Sequence, residues 1–214
     1  MPRLAQIPRA DLDKQVVPHY DRLFGDRDPV AEPGTATGTP GNWWTVMANS
    51  PDLMDALVGV MRLFRDERRV VTARQRELAL TRTGFLVGSQ FVYSQHCKAA
   101  RAAGISDEEL SLLRGGWAAS DILPPADRAL LAYVDEFVRG AGRVSEETFD
   151  GLREVLSDEG ILELTVFVGT YGMHAAIAKA LRLEYDDVDE RVVEIPAPEQ
   201  GAAAADILTD ITGG

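Results

Sequence analysis

This chain spells out where its helices start. Thr72-Ala-Arg-Gln75 and Ser106-Asp-Glu-Glu109 both fit the capping box, in which the first hydroxyl accepts the fourth N–H and the fourth side chain returns to the first N–H. Ser145-Glu-Glu-Thr148 and Ser157-Asp158-Glu159 place a hydroxyl before an acidic first turn, which suits the positive end of a helix. Ser50-Pro51-Asp52 adds a proline where a missing N–H costs nothing, after which Leu53, Leu57, Val60, Met61 and Phe64 recur on one face. The single stretch with period two, Val192-Val-Glu-Ile195, is short and sits in a proline-rich tail. The pattern predicts an all-α fold.

Helices are expected from Pro51 and from Ala73, the latter carrying Glu77. A third is expected to run to Gly104, with Gly84 and Gly88 as break points before it. Further helices are expected from Asp107 to near Gly115, over 126–139, from Glu146, and from Asp158 to about Leu183. Residues 9–24 read as partly helical, with a break or kink at Pro18. Residues 25–42 are loop by composition, because Gly, Pro and Thr interrupt every turn; a lid and a plain connection both fit. The organisation expected is a loop-rich N-terminal extension over 1–42, a helical domain over 43–190, and a tail over 191–214 that is mobile or wrapped on a neighbouring subunit.

At 214 residues with 45% apolar content, the chain can bury a sizeable core. Its 22 basic and 34 acidic residues give a net charge of −12, which opposes long-range attraction to nucleic acid or to anionic membranes. Neither is expected as a partner, and an anionic ligand must be met by local cations. The N-terminus lacks an apolar run of signal-peptide length, and no uninterrupted apolar stretch reads as a membrane span. A lone Cys97 can build neither an internal disulfide nor a thiolate cage, and its ordinary role is that of a small buried hydrophobe. These features point to the cytoplasm. Phosphate-loop, G-x-S-x-G and Rossmann patterns are missing. Arg62, Arg65, Arg68, Arg69, Arg74 and Arg76 read as a solvated helix end paired with Asp66 and Glu67.

The histidines are His19, His96 and His174. If the helices fold back on each other near Gly84 and Gly88, Glu77 can meet His96; a carboxylate there fixes the tautomer and raises the basicity of the imidazole. His174 could approach His96 across the bundle. Glu77, His96 and His174 lack the spacing of a metal motif, so no metal or cofactor is expected. Trp43, Trp44, Phe85, Phe91 and Tyr93 read singly as core and together as the lining of an apolar pocket.

Four segments then carry a resemblance: Asn42-Trp-Trp-Thr-Val-Met-Ala-Asn-Ser-Pro51, Arg76-Glu77-Leu78 with Arg82, the His96 helix running into Ala102-Ala-Gly-Ile-Ser-Asp-Glu-Glu109, and Val168-Gly-Thr-Tyr-Gly-Met173. Over roughly residues 43–183 the chain resembles the carboxymuconolactone decarboxylase and AhpD-like family. The resemblance implies an AhpD-like helical bundle and a homo-oligomer, trimer or hexamer. In the peroxidase branch a C-x-x-C pair lies four and seven residues before the histidine; those positions are Val92 and Ser89 here, so the dithiol is lost while Glu77 and His96 are kept. In the decarboxylase branch the resemblance makes His96 the acid, Glu77 its orienting partner and Arg82 or another arginine the carboxylate clamp; Tyr93, Ser89, Trp44 and His174 are read beside them as substrate-binding residues. Family members commonly carry a Glu where Val92 stands and an Asn at Gly172. The expected function is a cofactor-free lyase or isomerase acting on an oxygenated acid or lactone from aromatic or related carbon catabolism. A thiol-dependent peroxidase using Cys97 and a non-catalytic ligand-binding or scaffold protein are the alternatives.

Overall fold

The computed structural model describes residues 1–35 and 38–183. Among them the chain forms nine α-helices and no strand: α1 (Val17–Phe24), α2 (Asn42–Met47), α3 (Pro51–Phe64), α4 (Ala73–Leu86), α5 (Gln90–Ala102), α6 (Asp107–Leu112), α7 (Pro125–Arg139), α8 (Glu146–Arg153) and α9 (Asp158–Leu181). The capping signals act as written. Thr72 and Ser106 close full capping boxes, and the hydroxyls of Ser145 and Ser157 accept the N–H of Thr148 and Gly160; each such cap stabilises its helix by about 1 kcal/mol. Ser50 makes no side-chain cap, so α3 begins on Pro51 and the acidic first turn alone. The short period-two stretch at 192–195 and the tail over 191–214 lie outside the described residues.

Two expectations about breakers are corrected. Pro18 sits at the first turn of α1 and neither breaks nor kinks it, because its fixed φ and absent N–H suit that position. Gly84 lies inside α4, and the reversal into α5 falls at Gly88, with φ of +59°.

Two apolar clusters make up the core. The larger joins α4, α5, α7, α8 and α9 through residues such as Leu78, Tyr93, Leu131, Leu164 and Phe167. The second packs Val16, Tyr20, Trp43, Met54 and Val58 against Ala178 and Leu183 at the end of α9. The N-terminal extension is thereby tied to the bundle, and Asn42 and Arg3 donate to the carbonyls of Leu183 and Ala180. Within the loop that follows α1, Arg27 donates to the carbonyls of Glu32 and Gly34. By length and composition α9 could cross a membrane, which the sequence reading did not anticipate. Its apolarity serves the core here, where Ile161, Leu164, Phe167, Val168, Ala175 and Ala178 are buried.

α4 is buried continuously from Glu77 to Gly84, so each polar side chain on that stretch needs a partner to offset its desolvation. Arg82 finds Asp135 of α7, and Thr83 returns to the Ala79 carbonyl, while the Thr81 hydroxyl is buried without a partner. The basic run divides: Arg62, Arg65 and Arg68 are exposed as a solvated helix end would be, while Arg69, Arg74 and Arg76 make tertiary ties. Arg69 pairs with Glu163 and Arg74 with Glu109 and Asp127, while Arg68 makes the expected local pair with Asp66. Glu163 also accepts the N–H groups of Val70 and Val71, each at 3.0 Å. The connection before α4 is thus pinned to α9.

Candidate functional site

Where α4 and α5 cross, the missing side chain of Gly84 sets their spacing: a Cβ there would stand 2.6 Å from the Tyr93 nitrogen. One helical turn onward along α5, that close approach lays His96 against Glu77, and Nδ1 lies 2.7 Å from Glu77 Oε2. Both side chains are buried. The other carboxylate oxygen, Oε1, accepts from Arg76 Nε at 2.8 Å, and Arg76 Nη1 is fixed by the Phe64 carbonyl at 3.0 Å. Burial pushes the Glu77 carboxyl up, but the hydrogen bonds and charges of His96 and Arg76 outweigh it and hold the group below its ordinary range. A carboxylate so held fixes the ring with Nδ1–H donating to it, which leaves Nε2 of a neutral His96 as the proton acceptor.

α9 closes the other side. Tyr171 stands edge-on to His96, with ring centroids 4.5 Å apart and planes at 86°. Burial first, then the Glu77 charge, pushes its phenol up to about 12, so Tyr171 stays protonated over the ordinary pH range. His174, one turn further, stacks on Trp43 at 3.7 Å with the planes 7° apart. Phe91 and Tyr171 flank it, each at 5.7 Å between centroids. Its Nε2 is buried with no hydrogen-bond partner, and burial, reinforced by the His96 charge, lowers its pKa to about 3.

The structure therefore unites Glu77, His96 and His174, and it disperses other residues expected at the site. Arg82 is spent on Asp135, with Nε and Nη2 at 2.6 and 2.7 Å from the two carboxylate oxygens and Nη1 on the Leu113 carbonyl; a guanidinium bound in this way is a poor clamp for a ligand. Ser89 is the N-cap of α5. Tyr93 lies in the main core beside Phe85. Trp44 packs on the second cluster, and the neighbouring Trp43 takes the place at His174. Cys97 is fully buried in the main core, as its ordinary reading implied. Among the described residues no three His, Cys, Asp or Glu side chains are grouped to hold a metal ion. A surface hollow edged by Asp135, Glu136, Arg139 and Arg143 shares no residue with the dyad. Sequence reasoning missed Tyr171 as a site residue and Arg76 as the second partner of Glu77. The three-residue step from Tyr171 to His174, which places both on one helix face, was the available signal for the former.

The comparisons with known proteins bear on family and fold. Residues 51–136 match the model of the carboxymuconolactone decarboxylase family. None of the curated proteins matches the chain. Among solved structures, a protein of unknown function from Agrobacterium tumefaciens, named for an antioxidant defence role of AhpD type, is 26% identical with a TM-score of 0.58, over 69% of this chain and 96% of its own. The debrominase Bmp8 in complex with 2,3,4-tribromopyrrole superposes with a TM-score of 0.66 at 16% identity, over 87% of this chain and 95% of its own. An uncharacterised peroxidase-related protein from Ralstonia eutropha JMP134, an alkylhydroperoxidase AhpD core, gives 0.61 at 17% identity, over 86% and 95%. The last two likenesses speak for the fold alone.

Proposed function

Since residues 51–136 match the model of the carboxymuconolactone decarboxylase family, we propose that the chain is a cofactor-free lyase or isomerase of that kind, whose Glu77–His96 dyad transfers a proton on an oxygenated, unsaturated acid or lactone. The observation that carries the reading is the buried 2.7 Å contact between His96 Nδ1 and Glu77 Oε2, with Arg76 on the second carboxylate oxygen. In the lyase form, the bond from carbon to the departing carboxylate breaks and its electron pair enters the unsaturated system as a dienolate. Protonated His96 then gives its Nε2 proton to carbon, Glu77 having stabilised the imidazolium, and solvent restores that proton. In the isomerase form, neutral His96 first takes a proton from one carbon and returns it to another. Neither form needs a redox centre.

With Arg82 engaged by Asp135, a substrate carboxylate falls to other cations. Arg65 and Arg76 are the two arginines whose charge is felt at the Tyr171 phenol; Arg76 is held by Glu77 and the Phe64 carbonyl, which leaves Arg65, exposed at the end of α3, as the better placed cation. The thiol-peroxidase alternative draws no support from Cys97, a fully buried side chain with no second cysteine to resolve it. The same reading takes the protein to be a homo-oligomer, because the outer face of α9 exposes Leu162, Val166 and Met173 with no charge among them.

The test is a mass-spectrometric screen of lactone acids and related enol and keto acids in deuterated water, comparing wild type with His96→Ala. Conversion or deuterium incorporation that vanishes in the variant is the expected result. Turnover that survives His96→Ala removes the dyad from the mechanism, and no turnover of any compound by a folded wild type favours a non-catalytic, ligand-binding protein.

A further inference from the structure

The aromatic half of the site holds a nitrogen with nothing to bind. His174 Nε2 is buried without a partner, its desolvation unrepaid by any hydrogen bond within the chain, and such an atom in a native protein calls for an explanation. Stacking does not explain the choice of residue. A phenylalanine at this position would face Trp43, Phe91 and Tyr171 equally well and leave no polar atom stranded. Charge does not explain it either, because burial and the neighbouring His96 keep the ring neutral.

A neutral imidazole offers one donor and one acceptor, and the surrounding rings of Trp43, Phe91 and Tyr171 offer flat apolar faces. Such walls favour a planar molecule and penalise an ionic group stripped of water. Resting on the proton-transfer reading above, we propose that His174 is a ligand-binding residue whose Nε2 hydrogen-bonds an uncharged hydroxyl or carbonyl oxygen on a flat, unsaturated substrate, held among Trp43, Phe91 and Tyr171 with its reacting carbon toward His96. Phe91 stands on the first turn of α5 and is only half-buried, so its rotation is the motion that admits the ring. An acidic substituent then points away from His174, toward the side of Arg65 and Arg76.

The probe is phenol, a flat ring with one neutral hydroxyl, and toluene is its counterpart without the hydrogen bond. Each is titrated into the full chain while the ring nitrogens of His96 and His174 are followed by NMR. Phenol is expected to shift the His174 Nε2 resonance saturably and to bind about tenfold tighter than toluene, the scale of one buried hydrogen bond. His174→Phe should bring phenol down to the toluene level, and His174→Gln, which keeps a hydrogen-bonding head, should restore part of the difference. Equal affinity for the two probes, or the absence of a saturable shift at His174, overturns the proposal, and that comparison needs no variant to fold. The titration is also independent of turnover. Deuterium exchange through His96 without phenol binding would remove this inference and keep the dyad, whereas phenol binding without exchange would do the reverse.

Discussion

Gly84 and Tyr93 touch backbone to backbone: a Cβ on Gly84 would lie 2.6 Å from the Tyr93 nitrogen and 2.9 Å from its Cα. These atoms belong to the main chain of α5 and cannot turn aside as a flexible side chain would, so α4 and α5 must part if anything larger than glycine is placed there. The crossing is also what brings Glu77 and His96 together, and the chemistry thus rests on a residue that takes no part in it. Gly84→Ala should lower the stability by about 1–3 kcal/mol through overpacking, measured by urea denaturation, and should perturb the His96 ring resonances. A variant as stable as wild type with an unchanged His96 spectrum would show that the helices separate without cost.

His174 gives the fold a specific sensitivity to acid. Its pKa is lowered from 6.5 to about 3 in the folded chain, so between those values the unfolded chain binds more protons and folding weakens as the pH falls. The contribution is fully present above pH 6.5 and is lost progressively toward about pH 3. Relative to His174→Phe, wild type should lose roughly 1.4 kcal/mol per pH unit within that window, read from denaturation midpoints at several pH values. Parallel stability curves for the two proteins would mean that the ring is hydrated and titrates freely.

How far the sequence carries one toward this site depends on the range of each interaction. Helix starts were legible because a cap is made within four residues, and Thr72 with Gln75 or Ser106 with Glu109 needs nothing from elsewhere in the chain. The pairing of Glu77 with His96 could be reasoned because two consecutive helices must fold back on each other. Gly84 was misread as a break because a missing side chain serves a turn and a close helix crossing equally well. The tie of Arg82 to Asp135 could not be read because its partner lies on α7, 53 residues along the chain. Trp43 and Trp44 are neighbours about 100° apart around a helix, and tertiary packing alone decides which of them reaches His174.

The Arg82–Asp135 pair separates a structural role from a clamp. Arg82→Met would strand a largely buried carboxylate and leave the Leu113 carbonyl without its donor; breaking such a pair costs about 3–5 kcal/mol. Replacing both residues, Arg82→Met with Asp135→Leu, should recover most of the loss, since no charge is then left unpaired. KM for any substrate found in the screen should be the same in the double variant as in wild type. A large rise in KM at unimpaired stability would return Arg82 to the substrate.

The exposed side of α9 carries the last prediction. Leu162, Val166 and Met173 are 65%, 44% and 45% exposed, and Gly169 and Ala176 are exposed between them. The steps of four, three, four and three residues are those of a seam between helices. A charge set into that seam should be tolerated by a lone subunit, where the position faces water, and rejected by an assembly, where it would be buried unpaired. Val166→Glu should therefore keep the wild-type far-UV circular dichroism while light scattering falls from an oligomeric mass to that of one chain. Leu162→Glu should act in the same direction, and if it does while Leu53→Glu, on the exposed side of α3, does not, the effect belongs to the α9 face and not to added charge in general. A wild type that is monomeric at every concentration would sink the prediction and leave the seam as nothing more than an apolar surface.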